Sequence, residues 1–306
     1  MPRASGNDIC EIFGYAPDDL TEICRHYWNR NLCPFMGTGC TKYNHDQTVT
    51  YGVCSLVSSG EEVIICPKRL YADCYQTIRD VSADAFGEIP LFFVNELQAL
   101  NFRAPYEVVV ALGHDSGKEI QVGNKNKMSM DWVLAKVVDG EVIEIAGIEV
   151  QSIDITNNYR DAWQAYKNLP IDDERDIPKS QHGMNWANVH KRLIPQIIRK
   201  GVVYKESELA RKGIYFIVPE VVYKRFEIVV GKINPVKQQG HDTLNVFTYA
   251  IDEPVKHGLI RRLKRTGITR ISLDEFALNF VGGGGANLGP NLDYAVRKQI
   301  NTLFSK

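Results

Sequence analysis

The chain has 306 residues, 44% of them hydrophobic and 24% charged, enough to bury a substantial core in one large domain or two smaller ones. No stretch approaches the roughly 20 apolar residues that cross a bilayer, and the polar opening of the chain lacks the apolar core of a signal peptide, so the sequence reads as cytoplasmic with no membrane partner. A formal net charge of -1 argues against a protein that coats nucleic acid by bulk charge, but not against one with a local basic cleft.

All seven cysteines (10, 24, 33, 40, 54, 66 and 74) fall in the first quarter of the chain. Residues 1–87 read as a loop-rich unit, with turn signals at Met36-Gly37-Thr38-Gly39 and Ser58-Ser59-Gly60. Short strands are expected over 49–56 and 63–65, and a helix over 71–80. In a cytosolic chain, clustered cysteines read as metal ligands before disulfides. The spacing Cys33-x6-Cys40-x13-Cys54-x11-Cys66, with Pro34 and Pro67 stiffening the exits, suits four thiolates around one tetrahedral zinc or iron ion. A set of free core thiols is the competing reading. Cys24 and His45 are the substitute ligands.

Longer periodic elements begin at residue 88. A buried strand is expected over 108–112, and β-rich runs over 131–138 and 141–156 are joined by the hairpin signal Asp139-Gly140. Helices follow over 159–168 and 186–200, then strands over 202–204, 214–218 and 226–230, and a closing helix over 293–303. Intermixed strands and helices imply an α/β or α+β core. Two further tracts invite functional readings. Gly282-Gly283-Gly284-Gly285 lacks the Gly-Lys-Ser/Thr ending of a phosphate loop. Arg261-Arg262-Leu263-Lys264-Arg265 suits phosphate contacts or a solvated helix face equally well.

The run Ile148-Glu149-Val150-Gln151 carries the chemistry. Alternation sets Glu149 and Gln151 on one strand face and Ile148 and Val150 on the other; Asp154 falls on the wrong face and is left out. Counting outward from a two-residue loop puts Asp131 opposite Ile148, one short of Glu149, and a bulge at Gly147 would bring the acids level. Two carboxylates and an amide oxygen then converge on a hard cation such as Mg²⁺. A solvated strand with alternating polar residues is the bland alternative. Glu119 is a secondary acid, more simply read as a solvated loop residue.

Asp131 followed by Glu149-Val150-Gln151 resembles the PD-(D/E)xK nuclease core, with glutamine where that motif carries lysine. Glutamine can position water but supplies no charge. Adding Cys33-Pro34-Phe35, the run Cys40-Thr41-Lys42-Tyr43-Asn44-His45-Asp46, Tyr51-Gly52-Val53-Cys54-Ser55 and Ile65-Cys66-Pro67-Lys68-Arg69, the first half of the chain resembles the NotI-type restriction endonucleases. The resemblance implies a type II enzyme that cleaves both strands of double-stranded DNA at a GC-rich palindrome as a homodimer. It implies a restriction-endonuclease-like α+β domain over 88–306, with the four-cysteine region 1–87 supporting DNA recognition. Cys33, Cys40, Cys54 and Cys66 fall on structural metal ligands, an iron in that family, whereas their chemistry alone leaves iron or zinc open. Asp131, Glu149 and Gln151 fall on catalytic positions, the two acids holding Mg²⁺. Lys42, His45, Lys68 and Arg69, inside the cysteine block, are either guanine-reading donors or a cover for the metal. The competing functions are a non-catalytic four-cysteine DNA-binding module and a repair-type nuclease on the same core.

Overall fold

A computed structural model of the chain describes residues 8–101, 105–113, 119–123, 127–169, 177–282, 294 and 296–298. At the N-terminus, β1 (Ile9–Ile12), β2 (Val53–Ser58) and β3 (Glu61–Ile64) form an antiparallel sheet in the order β1-β2-β3. Between the first two strands lie helix α1 (Glu22–Arg30) and the cysteine-bearing loops. Ser59 and Gly60 both take positive φ (53° and 83°), the tight turn that joins two strands of matching twist. A 3₁₀ turn at Pro67–Tyr71 then leads into α2 (Ala72–Phe86), whose first turn is left-handed at Asp73, Cys74 and Tyr75. The expected helix at 71–80 is thus broken at its start and longer at its end.

The large sheet is built from β4 (Leu91–Phe93), β5 (Glu107–Gly113), β8 (Trp132–Val138), β9 (Glu141–Val150), β12 (Ile214–Pro219), β13 (Thr243–Ile251) and β14 (Leu263–Ser272). Its seven strands run in the order β14-β13-β12-β9-β8-β5-β4. Pairing is mixed: β9, β12 and β13 are mutually parallel, and the β8–β9 hairpin is antiparallel. The remaining elements are α3 (Val94–Ala99), β6 (Ile120–Val122), β7 (Met128–Met130), β10 (Ile155–Thr156), α4 (Arg160–Lys167), β11 (Gly183–Met184), α5 (Trp186–Asn188), a π turn at Val189–Leu193, α6 (Ile194–Lys205), α7 (Glu220–Val230) and α8 (Leu273–Val281). This is the mixed α+β architecture expected.

Two core clusters cover the two faces of the sheet. On one, Ile214, Phe216, Val218 and Val246 meet Ile194, Ile197 and Tyr204 of α6, and the same cluster continues into Ile12, Phe13, Trp28 and Val53 of the N-terminal region. On the other, Ala146, Ile148, Val150, Tyr215 and Ile217 meet Ile78 and Val81 of α2. Among the described residues no helix is long and apolar enough to cross a membrane.

Three expectations need correction. Residues 202–204 and 226–230 are helical, the ends of α6 and α7. Their β-branched runs mimic strands, but burial follows the helical repeat: Ile194, Ile197, Gly201 and Tyr204 in α6, and Val222, Tyr223, Phe226 and Val230 in α7. The basic run at 261–265 leads into β14 and is not a helix face. Arg261 is buried in ion pairs with Glu62 and Glu11, while Arg265 pairs with Asp80 and Lys264 with Asp252. Of the closing helix at 293–303, only 294 and 296–298 are described, and these are helical; Gly283, Gly284 and Gly285 lie outside the described residues.

Arg261 belongs to a buried charge network that locks the N-terminal region to the sheet. Arg69 donates twice to Glu11, at 2.7 and 3.1 Å, and both side chains are fully buried. It also donates to the Arg261 carbonyl oxygen at 2.5 Å and lies over the Phe35 ring. Arg261 in turn makes a two-pronged pair with Glu62 at 2.8 and 2.7 Å. Arg69 is therefore a structural ion, not a base-reading donor.

Candidate active site

The hairpin turn Asp139-Gly140 takes positive φ at both residues (50° and 82°), as its sequence requires. Pairing starts at Val138–Glu141, continues at Val137–Val142, then slips to Lys136–Glu144. The extra residue is Ile143, so the bulge lies near the turn and not at Gly147. Its effect is the one anticipated: Trp132 pairs with Ile148, which sets Asp131 level with Glu149. The two residues then clasp each other. Asp131 Oδ2 accepts the Val150 N–H at 2.9 Å, and Glu149 Oε1 accepts the Asp131 N–H at 3.4 Å.

Gly147 has a different task. A Cβ at this position would stand 1.9 Å from Cζ of Tyr204, so the absence of a side chain lets α6 lie directly on β9. Four helical residues rise about 6 Å and two strand residues span about 6.6 Å. With Tyr204 seated on Gly147, Lys200 one turn earlier therefore meets Glu149 two residues later. Lys200 Nζ is hydrogen-bonded to Glu149 Oε2 and stands 3.8 Å from Asp131 Oδ1. Sequence reading missed this lysine, whose only local signal is the match between Lys200-x3-Tyr204 and Gly147-x-Glu149. Gly147→Ala is expected to cost about 3 kcal/mol of stability, read from urea unfolding, because the ring has no room to retreat without lifting α6.

Glu149 is almost wholly buried, whereas Asp131 is one-third exposed. Burial and the neighbouring Asp131 push the Glu149 carboxyl up to about 8, against the opposing pull of Lys200. The Tyr204 phenol is raised by burial and by the same two acids, and its hydroxyl finds no hydrogen-bond partner. A carboxylate held against its preference to protonate gains from a cation, and an ammonium stands in for one between the pair. In kind and placement the acids fit a hard divalent ion.

Asp131 opens onto a cleft of about 500 Å³ lined also by Gln151, Lys200, Lys42, Lys127, Arg192 and Arg199, with Glu149 buried behind it. Gln151 sits just past the end of β9, its N–H bonded to the Ile217 carbonyl at 3.0 Å. Asp154 lines the same cleft and pairs with Arg192 and Asn188. Its exclusion by alternation fails because the strand stops at Val150. Glu119 is exposed beside Gln121 and is not among the described residues that line the cleft. A second cavity of about 480 Å³ against the opposite sheet face is walled by Phe35, Tyr75, Phe93 and Trp132 and holds neither acid of the pair.

A clasped acid pair beside a basic cleft is what phosphodiester chemistry needs, and sequence comparison agrees. The family model described as restriction endonuclease NotI matches residues 20–256. The chain belongs to this family. Among curated proteins no relative matches. As a member of the NotI family the protein is a restriction endonuclease, an enzyme that cuts DNA at specific sites.

The matched span takes in both the acid pair and all four cysteines of the family's block. Cys33, Cys54 and Cys66 are buried and Cys40 is half-buried. Burial raises the thiols of Cys33, Cys40 (to about 11) and Cys54, and each of the three also senses Cys66. Backbone N–H groups already point at sulfur: those of Phe35 and Met36 at Cys33, and that of Lys42 at Cys40 Sγ, 3.5 Å away. Among the described residues, however, no three Cys, His, Asp or Glu side chains are gathered at metal-holding distances. The donor set thus fits a thiolate-bound ion in kind and neighbourhood, with the sulfurs standing farther apart than one ion would hold them. Cys24 is buried in α1 beside Asp19 and Arg25, and Cys74 and His45 are exposed.

Proposed function

We propose that the protein is a type II restriction enzyme that hydrolyses both strands of double-stranded DNA at a GC-rich palindromic site, with Mg²⁺ as its catalytic ion. The clasped acid pair, with Asp131 lining the basic cleft and Glu149 buried behind it, is the observation that carries this reading. Asp131 and Glu149 hold the ion, which when bound polarises the phosphoryl oxygen and lowers the pKa of water. The Gln151 amide, lining the same cleft, orients the attacking water. Lys42, Lys127, Arg192 and Arg199 take the flanking phosphates, so the overall charge near zero hides a local positive surface. Cys33, Cys40, Cys54 and Cys66 hold a structural iron or zinc ion, the N–H groups at Cys33 and Cys40 favouring the thiolate form. Cutting a palindrome symmetrically calls for two copies of the site, hence a homodimer.

Purified protein incubated with unmethylated phage DNA is expected to give discrete bands with Mg²⁺ and none with EDTA. End mapping of those bands gives the site, and elemental analysis is expected to find about one iron or zinc per chain. A smear of random fragments, or intact DNA across several GC-rich substrates, would remove the proposal.

A further inference from the structure

We propose that Lys200 is a catalytic residue of this enzyme, supplying from helix α6 the positive charge that Gln151 does not provide from the strand. The inference rests on the nuclease reading above and deepens it. Sequence alone leaves the reaction short of a cation from the chain, since the third motif position is a neutral amide. The structure fills that gap from a different element.

Three observations carry the assignment. The Lys200 ammonium sits between the two acids, bonded to Glu149 and 3.8 Å from Asp131. It lines the same cleft as Asp131 and Gln151, and its side chain is 13% exposed, enough to meet a substrate while largely shielded from bulk water. Among the described residues it is also the one cleft cation paired with both acids; Arg192 turns instead to Asp154, at 4.0 Å. Its position is fixed by packing: Tyr204, one turn on, is seated on Gly147, and Gly201, the next residue, lies against Leu273 of α8 with no room for a Cβ. A surface lysine that swung in for lack of a better partner would not be held at both neighbouring positions of its helix.

In hydrolysis a water oxygen bonds to phosphorus and the P–O bond to the leaving sugar oxygen breaks. The water gives up one proton, the leaving oxygen takes one up, and one water is added overall. Lys200 stays protonated throughout. Its N–H donates to a non-bridging phosphate oxygen, where negative charge concentrates as the new bond forms, in a site where low exposure strengthens the contact. Before substrate arrives, the same ammonium bridges the two acids.

The test uses full-length Lys200→Met, Lys200→Gln and the relocated variant Gln151→Lys/Lys200→Met, with unmethylated phage DNA as substrate. Single-turnover cleavage in Mg²⁺ is expected to fall about 100-fold or more in both single variants. DNA affinity in Ca²⁺ should stay close to that of the parent. The relocated variant is expected to regain about 10-fold, because the charge returns to the cleft from the strand side. The Gln variant keeps a polar N–H donor on the same side-chain path and decides the matter should the Met variant fail to fold. Cleavage within about threefold of the parent in either folded single variant would overturn the assignment. So would a loss of affinity equal to the loss of rate, which would make Lys200 a binding residue. Failure of the parent to cut any DNA would instead overturn the nuclease reading.

Discussion

Glu149→Gln is expected to abolish DNA cleavage, lowering the single-turnover rate by about 1,000-fold or more, while the protein still binds DNA in Ca²⁺. Asp131→Asn should behave likewise, since the two acids share one cation position. What distinguishes the Glu149 variant is its effect on stability. A buried carboxyl raised from its ordinary value to about 8 favours folding while it carries its proton. That contribution is fully present below the unfolded carboxyl range and is lost as pH rises through about 8. In metal-free protein, the parent is therefore expected to lose thermal stability as pH rises from the ordinary carboxyl range to about 8 and to level off above it. Glu149→Gln, which has no charge to bury, should lose less over the same window. Parallel melting curves for the two proteins between pH 6 and about 9 would contradict the account, as would cleavage by the glutamine variant. An inactive enzyme at least as stable as its parent at high pH is the expected signature of a site held against its own folding preference.

The parts of this site that were legible in sequence are those encoded by neighbours. Asp139-Gly140 announces its turn, alternation sets Glu149 apart from Ile148 and Val150, and counting from the turn brings Asp131 within one residue of Glu149. The last step needed a bulge, and the glycine rule put it at Gly147 when the slip is at Ile143. Gly147 is instead small because Tyr204 lies on it from a helix more than 50 residues away, a reason that no local pattern contains. The same blindness hid Lys200. The expected helix over 186–200 stops at Lys200, because the β-branched run Val202-Val203-Tyr204 that follows favours a strand and leaves the lysine at a helix end with no visible partner. With the helix carried on to Lys205, burial at 194, 197, 201 and 204 explains its inner face, and Lys200 falls at its edge beside the acids. The cysteine block was conspicuous in sequence, but its arrangement depends on loops whose geometry is set by partners elsewhere. Arg69 and Arg261 belong in that class too: their charge suggested DNA, and only tertiary structure shows that each faces a buried glutamate.

Arg69→Met is the substitution expected to cost the most stability, about 4 kcal/mol, read from urea unfolding. Removing one partner of a buried pair leaves the other charge uncompensated, and Glu11 has no exposure through which to recover water. Arg261 cannot take over, because its guanidinium is already committed to Glu62 through two bonds and reaches Glu11 through a single nitrogen at 3.1 Å. The cost should therefore depend on the charge left behind and not on lost volume, since methionine fills much of the same space. Glu11→Gln/Arg69→Met, which removes both charges, is expected to recover roughly half of the loss. Equal stability of the single and double variants would show that packing against Phe35 is what matters at Arg69. The consequence reaches the cleft. Arg69 lies in the 3₁₀ turn that starts at Pro67, a residue of the cleft wall, and its bond to the Arg261 carbonyl ties that turn to the connection between β13 and β14. Arg69 and Glu11 also act electrostatically on Cys54, with opposite signs. Under conditions where Arg69→Met is still folded, cleavage should fall together with the iron or zinc content proposed for the four cysteines, because one buried ion pair supports both the cysteine region and the cleft wall at Pro67.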